Sequence, residues 1–156
     1  MIVVGIDPGP TKSAYAIVQF KGNTLDVLSS GFFSELSETI ADAIYDGFFA
    51  LETVEGYAWM PERSSALIQT SFVAGVIDGT LSTIGHRVVR LSARQWRKVI
   101  CNDPAASDKI IKRILQARIP TLPRTNAHVR DAIGVALAAI ELERRAAVLN
   151  RAKLVP

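Results

Sequence analysis

The stretch Ile2-Val3-Val4-Gly5-Ile6-Asp7, followed at once by Pro8-Gly9-Pro10, decides the fold. A short apolar run ended by Pro and Gly reads as a buried strand closing in a turn. Its last residue is an acid. A carboxylate at the end of a buried strand has to be paired, hydrogen-bonded or bound to a cation. Asp7 therefore reads either as a functional acid at an open strand end or as an ordinary turn-capping Asp of the Asp-Pro-Gly kind.

Residues 13–20 (Ser-Ala-Tyr-Ala-Ile-Val-Gln-Phe) read as a second strand, Lys21-Gly22-Asn23 as a hairpin turn, and residues 24–31 as a third strand. Strands joined in this way predict an antiparallel meander. Ser37, Ile40, Ala41, Ile44 and Tyr45 have helical spacing, and residues 49–55 read as a further buried strand ending near Glu55. Residues 63–84 carry a long helical pattern, with Leu67, Ile68, Phe72, Gly75, Val76 and Gly79 near one face. Residues 87–91 form a short strand. Ser92 can cap a short helix containing Trp96 and Arg97, and Ser107 a further helix through Ala117. After a loop marked by Pro120 and Pro123, Thr125 or Asn126 can cap a last helix to about residue 149; the tail from Arg151 reads as a fraying end. The order β-β-β-α-β-α-β-α-α-α predicts a mixed sheet with helices on its faces, in the α/β or α+β class, as one domain over residues 1–156.

The chain is 49% apolar and 21% charged, an ordinary globular composition. A single cysteine, Cys101, excludes a disulfide framework and a multi-cysteine zinc site; its apolar surroundings predict a buried structural thiol. No run approaches the length of a membrane span and no signal peptide is evident, so no membrane partner is expected and the expected compartment is the cytoplasm. The net charge is only +3, but it is divided. Residues 1–85 carry 3 Lys+Arg against 10 Asp+Glu, and residues 86–156 carry 15 against 5. Either one face bears carboxylates while another meets a polyanion, or the segments interleave and the charges mix.

Glu52 and Glu55 both lie near the end of the 49–55 strand. Alternation puts them on opposite sheet faces, so at most one shares a site with Asp7. Glu55 is nearer the strand end and is the preferred candidate. His128 and Asp131, at i and i+3, share a face near the start of the last helix. Taken singly, Asp131 suits a helix dipole and His128 a surface position. Together with Asp7 and Glu55 they form a cluster of three carboxylates and an imidazole, which repels itself unless a divalent cation neutralises it. An oxygen-rich set suits Mg²⁺, with Mn²⁺ as a substitute, and two such ions can activate water and stabilise the leaving oxygen in phosphodiester hydrolysis. The basic half adds Arg94, Arg97 and Lys98 around Trp96, Lys109, Lys112 and Arg113 on the following helix, and Arg124 and Arg130 at the start of the last one. Phosphate contacts need cations of this kind.

These residues resemble the RuvC family of Holliday-junction resolvases, which have a ribonuclease-H-like fold. Val-Val-Gly-Ile-Asp7-Pro-Gly looks like the family's first catalytic strand. Thr53-Val54-Glu55, then Ser64-Ser65-Ala66-Leu67 and Ala74-Gly75, resembles its second carboxylate and the long helix after it. His128-Val-Arg-Asp131-Ala132 is similar to its last motif, which carries Asp or His three residues before the final Asp. Ser92-Ala93-Arg94-Gln95-Trp96-Arg97 and Ser107-Asp108-Lys109 resemble its DNA-contacting segment, with Arg97 and Lys109 near the family's two important cations. The resemblance covers most of residues 1–145, and the short chain is similar to phage-encoded relatives.

The resemblance implies an α/β ribonuclease-H-like fold with a five-stranded mixed sheet, three strands antiparallel and the rest parallel. It implies a Mg²⁺-dependent crossover junction endodeoxyribonuclease with Asp7, Glu55, His128 and Asp131 as site residues, probing branched DNA in a bacterial or phage-infected cell without a nucleotide cofactor. It also implies a homodimer through helix 63–84, because a four-way junction needs two symmetric cuts. The family's aromatic wedge, three residues past the second carboxylate, falls here on Ala58; Tyr57 and Trp59 flank it and either can stack on an unpaired base or belong to the core. Two other readings compete: a branched-DNA-binding module without catalysis, and an actin-like phosphotransferase, whose first phosphate strand also begins Gly-Ile-Asp-x-Gly but which needs two such domains.

Overall fold

The N-terminal apolar run forms the middle of a five-stranded sheet. The computed structural model describes residues 1–34, 47–53 and 65–152. The helix expected over residues 37–45, and Glu55, Tyr57 and Trp59, lie outside the described residues.

The strands are β1 (Ile2–Asp7), β2 (Ser13–Lys21), β3 (Thr24–Phe33), β4 (Phe48–Thr53) and β5 (Val88–Ser92). Their order across the sheet is β3-β2-β1-β4-β5. The meander β1-β2-β3 is antiparallel, as its hairpin signals predict, and β4 and β5 add in parallel. The five-stranded mixed sheet implied by the resemblance, three strands antiparallel and the rest parallel, is therefore present. The helices are α1 (Ser65–Thr83), α2 (Ala93–Cys101), α3 (Asp108–Arg118) and α4 (Ala127–Ala152).

The sheet has a covered face on each side, which is why β1 reads as a continuous apolar run rather than an alternating one. Val4, Ile6, Phe49 and Leu51 pack with Ile77 and Leu81 of α1. Val3 and Ala50 share the opposite core with α2, α3 and α4. Residues 132–140 of α4 are all buried, because the sheet lies on one side and α2 and α3 on the other. Gly5 makes this close seat possible: a Cβ there would stand 1.9 Å from the Ala132 carbonyl oxygen.

Caps explain the helix starts. Ser92 Oγ accepts from the Gln95 N–H while the Gln95 side chain accepts from the Ser92 N–H, a complete capping box. Of the two candidates for α4, Asn126 is the cap, its Oδ1 accepting from the Val129 N–H at 3.0 Å. Ser107 stands before α3 without a side-chain cap bond. The last helix runs on to Ala152, past the expected end near residue 149. Cys101 is only partly buried, a correction to the expectation of a core thiol; burial pushes its pKa up, so it is not an activated nucleophile. Among the described residues no helix is long and apolar enough to cross a membrane.

Candidate active site and cation surface

The parallel register of β1 and β4 sets Ile6 opposite Leu51. One residue further along come Asp7 and Glu52. By alternation they project to the side of Gly5 and Ala50, the side covered by α4. The acid of β4 that the structure brings to Asp7 is thus Glu52; Glu55, the candidate that the sequence favours, lies outside the described residues.

Helix α4 completes the group. Its seat on Gly5 places Ala132, and so Asp131, at the C-terminal end of β1. One turn earlier, His128 Nδ1 lies 2.8 Å from Asp7 Oδ2. Asp7 is largely buried, while the His128 side chain is 69% exposed. From α2, the Trp96 indole N–H donates to Glu52 Oε2 at 2.9 Å, and Arg97 Nη2 stands 3.5 Å from Asp131 Oδ2. The Arg97 guanidinium lies 5.2 Å from the centre of the Trp96 ring, and its Nε is buried without a hydrogen-bond partner.

The electrostatics are those of crowded acids. Burial pushes Glu52 up to about 8, helped by the charges of Asp7 and Asp131 and opposed by the Trp96 hydrogen bond and by Arg97. Burial likewise lifts Asp131 to about 6, with Asp7 adding to the rise and Arg97 opposing it. Asp7 is raised by burial against the lowering effects of His128 and Arg97. Among the described residues no three His, Cys, Asp or Glu side chains stand close enough to enclose a cation as they are. The donor set nonetheless fits a hard divalent cation: three carboxylates that resist ionising together, with an imidazole alongside, at one end of a buried sheet.

The predicted cations divide into three kinds. Arg97 is drawn into the carboxylate cluster. Arg130 is spent partly on the fold, donating to the Thr125 carbonyl at 2.8 Å and reaching Asp108 at 3.5 Å. Arg94, Lys98, Lys109, Lys112, Arg113 and Arg124 are exposed. Lys112, Arg124 and Arg130 line a cavity of about 380 Å³ with Gln116, Pro123 and Thr125, and Arg94 and Lys98 rim a more apolar one of about 500 Å³ between α2 and α4. Trp96, which the sequence placed amid a basic segment, is fully buried. Its link to Glu52 had no sequence signal beyond the small residue Gly134, over which its ring sits.

On α1, the apolar face read from the sequence turns outward. Ile68 is 54%, Phe72 73% and Val76 51% exposed, while Ala74, Ile77 and Leu81 face the sheet. A Cβ built on Gly75 or Gly79 would meet nothing within 4 Å, so neither glycine packs against the sheet of its own chain.

No protein-family model matches the chain. In sequence it is 21% identical over 146 residues to the crossover junction endodeoxyribonuclease RuvC of Marinobacter nauticus, covering 87% of this chain and 83% of that one. It is 26% identical over 157 residues to RuvC of Chlorobium chlorochromatii, covering 88% and 78%. In structure it is similar to Thermus thermophilus RuvC, with a TM-score of 0.73 and 15% identity over 94% of this chain and 97% of the other. It is also similar to T. thermophilus RuvC in complex with a Holliday junction substrate, with a TM-score of 0.75 and 16% identity over 94% and 96%.

Proposed function

We propose that this chain is a RuvC-family, divalent-metal-dependent endonuclease that resolves Holliday junctions or other branched DNA by paired, symmetric phosphodiester hydrolysis. The observation that carries this reading is the convergence of Asp7, Glu52, Asp131 and His128, from three separate elements, at one end of a ribonuclease-H-like sheet.

Asp7, Glu52 and Asp131 are the residues that would hold the metal, with His128 beside them. The chemistry a pair of Mg²⁺ ions supplies in such a site, or Mn²⁺ in their place, is activation of water and stabilisation of the leaving oxygen. The chain's own residues do the rest. An ionised Asp7 fixes the proton of His128 on Nδ1, which leaves Nε2 free to accept a proton from an attacking water. Arg97, partly buried beside Asp131, offers positive charge where the phosphate gains negative charge.

The exposed cations of α2, α3 and the loop at Arg124 track the DNA backbone, and the cavity of Lys112, Arg124 and Arg130 suits a phosphate outside the reacting position. Tyr57 and Trp59 are the candidates for stacking on an unpaired base. The outward apolar face of α1 is the homodimer interface, which sets two active sites for two symmetric cuts. The working compartment is the cytoplasm of a bacterial or phage-infected cell.

The test is Mg²⁺-dependent cleavage of a synthetic four-way junction against linear duplex, read on all strands. Paired symmetric nicks in the junction alone are expected. Junction binding without nicking points instead to a binding module, and nucleotide hydrolysis without DNA to the phosphotransferase reading.

A further inference from the structure

We propose that Trp96 is a positioning residue for the metal-binding carboxylates: its buried indole N–H holds the Glu52 carboxylate toward Asp7 and Asp131. The proposal rests on the nuclease reading for its consequence in cleavage, but not for its effect on metal binding.

Three observations carry it. First, the N–H of a fully buried indole needs an acceptor, and this one is the Glu52 carboxylate, at 2.9 Å, rather than a backbone carbonyl. An indole can only donate, so it supports the ionised form of Glu52 and takes no part in proton transfer. Second, the donor is fixed in register with the acceptor. Thr53 and Ser92 are paired across β4 and β5, and the capping box at Ser92 starts the helix that carries Trp96 four residues on. Third, the opposite side of the ring is bounded by α4. A Cβ at Gly134 would stand 2.6 Å from Cζ3 and 3.0 Å from Cε3 of the indole, so the ring fills a slot that exists because residue 134 has no side chain. The Trp96 hydrogen bond is the only one to Glu52 among the described residues.

A hydrogen bond that orients a metal-binding carboxylate acts on metal affinity, where its loss typically costs roughly 10–100-fold. The experiment replaces Trp96 by Phe, and in parallel by 3-benzothienylalanine, which keeps the bicyclic shape and lacks the N–H. Mn²⁺ binding to the full-length protein is followed by calorimetry, and cleavage of a four-way junction is followed against Mn²⁺ concentration. We expect Mn²⁺ affinity to fall on the order of 10-fold in both variants, cleavage at saturating Mn²⁺ to recover to within about 3-fold of wild type, and junction binding in EDTA to stay unchanged. In a Glu52→Gln background the same replacement should change nothing further. Unchanged Mn²⁺ affinity in a folded variant overturns the proposal, as does a loss of affinity that persists undiminished with Gln at position 52. Wild-type protein that binds Mn²⁺ but does not cut overturns the nuclease reading alone, since calorimetry still reads the indole. Wild-type protein that binds no Mn²⁺ overturns both. If Trp96→Phe does not fold, the benzothienyl variant decides.

Discussion

His128 Nδ1 and Asp7 Oδ2 meet at 2.8 Å across 121 residues of sequence. The contact joins the first strand to the start of the last helix and leaves the imidazole exposed. If Asp7 orients this ring for proton transfer, His128→Ala should slow single-turnover junction cleavage by about 10²-fold with junction binding intact. His128→Asp supplies a further carboxylate at a position where the family motif carries either residue. That variant should cut to within about 10-fold of wild type and need less Mg²⁺. A wild-type rate in His128→Ala would remove the imidazole from the mechanism.

The two acids near the end of β4 can be separated by isosteric changes. Glu52→Gln removes a charge that interacts with both Asp7 and Asp131, so cleavage should drop by at least about 10³-fold while EDTA-stable junction binding persists. Glu55→Gln should retain cleavage within a few-fold. Strand-specific cleavage assays on the two variants decide between the residues, and the reverse pattern would return the role to Glu55.

Much of this was legible in the sequence. The run Ile2–Ile6 with its Pro-Gly stop locates the central strand, and the i, i+3 spacing of His128 and Asp131 places both on the side of α4 that meets it. The five-stranded order follows from the hairpin signals and the family resemblance. Glu52 was not legible in the same way, because distance from a strand end is a one-strand quantity while a site is built across strands. The register that sets Ile6 opposite Leu51 is a tertiary fact, and only with it does alternation set Glu52 beside Asp7. Trp96 was hidden for a similar reason: its neighbours Arg94, Arg97 and Lys98 mark a polar segment, yet on a helix the fourth residue of a turn can face inward alone. The apolar stripe of α1 was read correctly, but which side of it met solvent depended on the sheet.

Crowding of the acids should appear in the stability of the metal-free protein. The folded state holds the Glu52 proton up to about 8 and the Asp131 proton up to about 6, against ordinary values of 4.5 and 3.8. Between those limits the folded chain binds more protons than the unfolded chain, so stability falls as pH rises. In EDTA, Tm should decline from pH 5 to pH 8, and Glu52→Gln should flatten that decline, gaining on the order of 5 °C at pH 8 relative to wild type. Mg²⁺ should raise the wild-type Tm most at the alkaline end, where the carboxylates are ionised. Calorimetric melts across this range check the sign, and a wild-type Tm that rose steadily toward pH 8 would contradict the electrostatics of the site.

The outward face of α1 bears on whether cuts come in pairs. Ile68, Phe72 and Val76 recur at four-residue spacing, all more than half exposed, and Gly75 and Gly79 leave room for close approach by another helix. A large apolar stripe of this kind on a monomer is a liability for association, whereas across a two-fold axis it is self-complementary. Phe72→Glu puts two like charges close to that axis without touching the chain's own core, so its Tm should change little. Light scattering should find wild type as a dimer and Phe72→Glu as a monomer. The monomer keeps Asp7, Glu52 and Asp131 and should still nick a junction, but the two strands should be cut independently, leaving singly nicked junctions to accumulate. A Phe72→Glu protein that remains dimeric moves the interface elsewhere on the molecule. A monomer that still makes simultaneous paired cuts separates symmetric resolution from this face.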